Sequence, residues 1–152
     1  GQSGASGGAR AFRWTSATGM QSLGVLTGGA TSIGYFVSPD GSTIVGQSGS
    51  SSGNRAFRWT SAGSMQNLGV LAGGTVSTAY GTTEDGSIVV GTCVTPSATL
   101  GFRWTSAGMT SLGLPPGGAS AVEANCVSAT GSKPTARKMI SPSSIRPTCC
   151  RR

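Results

Sequence analysis

Phe12-Arg13-Trp14-Thr15 returns as Phe57-Arg58-Trp59-Thr60 and again as Phe102-Arg103-Trp104-Thr105, 45 residues apart each time. Gly41, Gly86 and Gly131 keep the same spacing. Laid over residues 46–90 without a gap, residues 1–45 are identical at 28 of 45 positions. The third copy loses one residue before Met109 and regains step at Pro115-Pro116-Gly117-Gly118. A period of this length marks supersecondary units that cannot bury an apolar face alone and must stack on their neighbours. The chain therefore divides into copies at 1–45, 46–90 and 91–132, followed by a tail at 133–152.

Each copy reads as four short strands. Ser32–Ser38 is the first, closed by Pro39-Asp40-Gly41, and Ser42–Gly46 follows with β-branched Ile44 and Val45. A Ser/Gly-rich loop leads to Arg55–Ser61, where period-two alternation puts Phe57 and Trp59 on one face and Ala56, Arg58 and Thr60 on the other. Met65–Leu71 is the fourth strand and ends at Ala72-Gly73-Gly74. No stretch carries a capped 3.6-residue apolar stripe, so the fold class expected is all-β, built from tandem four-stranded antiparallel units. Four strands in each 45 residues fit a β-propeller blade. A β-solenoid with two coils per copy is the alternative; turns such as Asp85-Gly86 favour the antiparallel meander. Propellers close with about four to eight blades, so three units imply a partial propeller and association with further copies.

The succession S-x-D-G-S, I/V-V-G, A-F-R-W-T and M-x-x-L-G-x-L-x-G-G resembles the HAF repeat. It stands here as Ala11-Phe12-Arg13-Trp14 with Leu23-Gly24-Val25-Leu26-Thr27-Gly28-Gly29, and as Ala56-Phe57-Arg58-Trp59 with Leu68-Gly69-Val70-Leu71-Ala72-Gly73-Gly74. The third copy departs, with Gly101 for Ala and Leu112-Gly113-Leu114-Pro115-Pro116 for the last element. The resemblance covers residues 1–132 and implies an extracellular bacterial repeat protein, secreted or held at the cell surface. It brings no catalytic residues with it.

The formal charge is +7, from 11 basic and 4 acidic residues. Six of the basic residues, Lys133, Arg137, Lys138, Arg146, Arg151 and Arg152, lie in the tail, which leaves residues 1–132 with 5 basic and 4 acidic, or +1. The body therefore carries no nucleic-acid patch. At Lys133-Pro134-Thr135-Ala136-Arg137-Lys138 an I/V-V-G strand should follow, and composition changes abruptly instead. The tail reads as a non-native reading frame or a disordered basic segment, ahead of an anion-binding arm. There is no run of 18 apolar residues, hence no transmembrane helix, and no stretch reads as a signal peptide.

The sequence holds no His, which removes the Ser-His-Asp triad, the Cys-His pair and all His metal sites. The acids are Asp40, Glu84, Asp85 and Glu123. Asp40-Gly41 and Asp85-Gly86 occupy equivalent places and read as turn residues rather than a glycosidase pair. Phe12, Trp14, Phe57, Trp59, Phe102 and Trp104 are the expected repeat core, with the intervening Arg bonding carbonyls or pairing with the turn Asp. As a ring of Trp and Arg the same triplets could read a sugar. Loops Gly28–Thr31, Gly49–Asn54 and Thr92–Leu100 are the other candidate binding places. The four Cys lack C-x-x-C spacing, so zinc is not expected; Cys93 and Cys126 are the pair open to a disulfide in an oxidising compartment, and adjacent Cys149-Cys150 fall in the tail. No phosphate loop appears. The expectation is a non-enzymatic module for display, adhesion or self-assembly without cofactor or metal; carbohydrate binding is the alternative.

Overall fold

The computed structural model describes residues 2–4, 7–114, 121–128 and 134–138, the last as backbone alone. Among them there is no helix; the fold is all-β with antiparallel sheets, and one isolated parallel bridge joins Thr99 to Ala121. The first sheet joins β1 (Gln2–Ser3), β2 (Arg10–Thr15) and β3 (Gly19–Ser22). The second runs in chain order through β4 (Ser32–Val37), β5 (Thr43–Ser48), β6 (Arg55–Thr60) and β7 (Ser64–Asn67). The third does the same with β8 (Val76–Thr82), β9 (Val89–Val94), β10 (Thr99–Thr105) and β11 (Gly108–Ser111). A hairpin of β12 (Val122–Val127) and β13 (Pro134–Lys138) ends the described chain.

Register recurs 45 residues on. Ser32 pairs Ser48, Ser77 pairs Cys93 and Val122 pairs Lys138. Each first hairpin carries a bulge at the same place, at Tyr35, Tyr80 and Asn125. Opposite the first two bulges the partner residue is glycine, Gly46 and Gly91, and opposite the third it is Ala136. A methyl on Gly46 would overlap the Ile33 carbonyl oxygen, and one on Gly91 the Thr78 carbonyl oxygen. In the first two hairpins the Gly of the I/V-V-G element is therefore a clearance requirement.

Three boundaries differ from the sequence expectation. The fourth strand stops at Asn67, because Gly69 takes a positive φ of 78° and turns Leu68–Leu71 inward as a loop. The expected Thr92–Leu100 loop shrinks to a turn at 95–98, closed by Thr95 N–H on the Ala98 carbonyl at 2.9 Å. The stretch Lys133–Lys138, read as the start of a tail foreign to the pattern, contributes β13 from Pro134 onward; backbone pairing with β12 does not need the I/V-V-G side chains. The rest of that tail, Cys149-Cys150 included, and the loop Pro115-Pro116-Gly117-Gly118 lie outside the described residues.

The sheets lie face to face, and strand alternation gives each two unlike faces. On the second sheet, Ile44, Phe57, Trp59 and Met65 look back to Ala11, Leu23 and Leu26 of the first sheet and its following loop. Val45, Ala56, Leu68 and Leu71 look forward to Val89, Phe102, Trp104 and Met109 of the third. Phe57 and Phe102 are fully buried in these seams, each contributing about 1.5–3 kcal/mol of hydrophobic stabilisation. Among the described residues the sheets do not close on themselves.

Candidate functional site

The Phe-Arg-Trp triplet works in both directions because neighbours on a strand point to opposite faces. Phe57, Trp59, Phe102 and Trp104 point back to the preceding sheet, and Arg13 and Arg58 point forward. The Arg13 guanidinium lies 5.8 Å from the centre of the Trp59 ring on the next sheet, within cation–π range. Arg58 Nε donates to the Gly86 carbonyl at 2.7 Å, so this Arg takes the turn carbonyl of the third sheet and not the Asp carboxylate.

Burial of the six aromatics follows their place in the stack. Phe57 and Phe102 are fully covered, Trp104 is 8% exposed and Trp59 is half-buried. Trp14, expected in the core, is 63% exposed, and Phe12 is only partly covered. The physical reason is that β2 turns Phe12 and Trp14 to the outer side of the first sheet, where no described residue packs. Ser3, Arg10, Phe12, Met20 and Ser22 line a depression of about 230 Å³ on this face, and Met20 is 60% exposed.

The turn residues hold a repeated geometry. Asp40 Oδ1 accepts from Ser38 Oγ at 2.5 Å and from Ser42 N–H at 3.0 Å, with Gly41 at φ 72°. Asp85 Oδ1 accepts from Thr83 Oγ1 at 2.6 Å, Ser87 N–H at 3.0 Å and Ser87 Oγ at 2.9 Å, with Gly86 at φ 67°. The hydroxyl of Ser38, then the Ser42 groups, lower the Asp40 pKa from 3.8 to about 2; Thr83, then Ser87, do the same for Asp85. Carboxylates held ionised and already accepting two or three hydrogen bonds are turn locks, not proton donors.

Three further sets of residues tie the sheets together. Ser32 Oγ accepts from Ala11 N–H at 2.9 Å and donates to the Gly24 carbonyl at 2.6 Å; Ser77 Oγ repeats this with Ala56 at 2.9 Å and Gly69 at 2.5 Å. Arg55 donates to the Thr75 carbonyl at 2.7 Å, as Arg10 does to the Ala30 carbonyl. The bulged Tyr35 and Tyr80 meet with ring centres 5.5 Å apart, tilted by 54°; burial raises the Tyr80 pKa. Each set is identical at 45-residue spacing in the first two copies, which is the signal that would have singled it out.

Cys93 stands where Ser48 stands one period earlier. Ser48 Oγ accepts from Leu26 N–H at 3.0 Å, and Cys93 Sγ accepts from Leu71 N–H at 3.4 Å. Cys93 is a buried thiol, and the Cys93–Cys126 bridge left open by the sequence is not formed. Cys93 pairs with Ser77, whereas Cys126 lies beside Gly81, four residues further along β8. That offset is about 13 Å at strand rise, beyond the roughly 7 Å between Cα atoms that a disulfide spans.

Of the candidate loops, Gly28–Thr31 and Gly49–Asn54 come together: Gly49 N–H donates to the Thr31 carbonyl and Ser51 N–H to the Thr27 carbonyl. Thr27, Ser50, Ser51, Ser52 and Asn67 line a depression of about 270 Å³ there. Among the described residues no group of three or more His, Cys, Asp or Glu could hold a metal ion, and every buried side-chain polar atom has a partner. Among the described residues no helix is long and apolar enough to cross a membrane. Comparison with protein-family models, curated proteins and solved structures gives no match.

Proposed function

We propose that this chain is a non-enzymatic module for self-assembly, adhesion or display, its sheets stacked as propeller-like blades, working outside the cell or at a bacterial surface. The carrying observation is that Phe and Trp of one triplet pack backward while its Arg bonds forward. A triplet such as Phe57-Arg58-Trp59, whose side chains contact the sheets on both sides, is suited to joining like to like. The HAF-like pattern supports the same reading and the location. Beads coated with the chain should clump through chain–chain contact, and free chain should compete with the clumping. Beads that stay dispersed at all loadings would overturn the reading.

Carbohydrate binding is the second reading, favoured by the Tyr35–Tyr80 pair, with Tyr35 47% exposed. Aromatic rings beside hydroxyl-bearing strands suit sugar stacking. A glycan array would show binding that Tyr35→Ala removes if this reading holds, and no hits if it does not.

A further inference from the structure

We propose that the open Phe12–Trp14–Met20 face of the first sheet docks, head to tail, on the forward face of the third sheet of a second copy, at Leu112, Leu114 and Arg103. The proposal rests on the self-assembly reading and names its contact.

The occupant follows from the two seams inside the chain. Wherever a face of the Phe12 type is covered, its cover is the forward face of another sheet: Phe57 on Ala11, Leu23 and Leu26, and Phe102 among Ala56, Leu68 and Leu71. Phe12 and Trp14 occupy the same strand positions as Phe57 and Trp59, so their face has the same shape and needs the same cover. The third sheet presents a forward face of this kind. Val122 and Ala124 of β12 cover part of it, lying 3.4 and 3.5 Å from where a Gly101 methyl would be. The remainder is less covered than its equivalents. Leu23 and Leu68 are buried, but Leu112 is only partly so, and Leu114 is 45% exposed.

The sequence holds no fourth triplet for this place. One period beyond Phe102-Arg103-Trp104 stand Pro147-Thr148-Cys149. The first sheet thus carries an aromatic plug, and the third an apolar socket with no matching triplet one period on. Charge agrees as well. Arg103 holds the position of Arg13, whose guanidinium meets the Trp of the following sheet, so Trp14 of a docked copy would find a cation there. Because plug and socket are different surfaces, the contact is heterologous and leads to head-to-tail chains or, where its rotation closes, to rings.

The test uses two variants of the full chain, Trp14→Ser to blunt the plug and Leu114→Arg to block the socket. Both side chains are largely exposed, so folding should persist, which circular dichroism checks; Met20→Lys is the second plug variant. In sedimentation velocity the unaltered chain should form a concentration-dependent series of oligomers. Each variant alone should weaken association about tenfold or more. A mixture of the two should form dimers and stop, since the pair retains one intact plug and one intact socket. If the unaltered chain associates and Leu114→Arg associates equally well, the head-to-tail contact is wrong while self-assembly stands. If the unaltered chain remains monomeric at all concentrations, both fall.

Discussion

Gly46 and Gly91 show how one missing methyl fixes a whole hairpin. Each faces a bulge so close that any Cβ would enter a carbonyl oxygen of the neighbouring strand. Gly91→Ala should therefore destabilise the chain by about 3 kcal/mol or more, read from urea unfolding, since overpacking against backbone has no side chain to give way. Asp40 and Asp85 carry the acid response. Their pKa falls on folding, from 3.8 to about 2, so their contribution is complete above pH ~4 and is lost as pH drops through about 2. Asp40→Asn with Asp85→Asn should flatten the loss of thermal stability between those pH values, as melting curves across the range would show. Asp-Gly as a turn was legible from residue type alone. The hydroxyls that hold each carboxylate were not, because Ser38 and Thr83 differ in identity while doing the same work.

At the scale of the element, the second and third strands were readable from β-branched and alternating residues. The fourth was drawn too long, since Leu68 and Leu71 continue the apolar pattern while Gly69 reverses the backbone beneath them. Strand β13 escaped notice for the opposite reason: it is held by backbone bonds to β12, which composition does not report. Between elements, Ser77 shows what pattern reading passes over. Its buried hydroxyl receives the Ala56 N–H and gives to the Gly69 carbonyl, so it fastens β8 to the preceding sheet. Ser77→Ala strands both groups and should cost about 1–3 kcal/mol, measured by chemical unfolding. A buried serine in a Ser-rich sequence carries no mark except its recurrence at Ser32.

For the molecule as a whole, the 45-residue spacing announced stacked sheets, and aromatic alternation told which faces meet. It did not tell that Trp14 would lie outside, because identical triplets have identical local sequence and differ only in their neighbours. That difference sets a gradient of protection. The seam around Phe102 and Trp104 gathers more buried side chains than the seam around Phe57, and the first sheet has an open face. Hydrogen exchange should accordingly be slowest in β8 to β10 and fastest in β2 and β3; equal rates throughout would mean the sheets open as one. The graded covering of the three indoles has a consequence of its own. Indole emission moves to the blue as water is withdrawn, so Trp14, Trp59 and Trp104 should glow at successively shorter wavelengths, and the colour of the light becomes a ruler for depth within the stack.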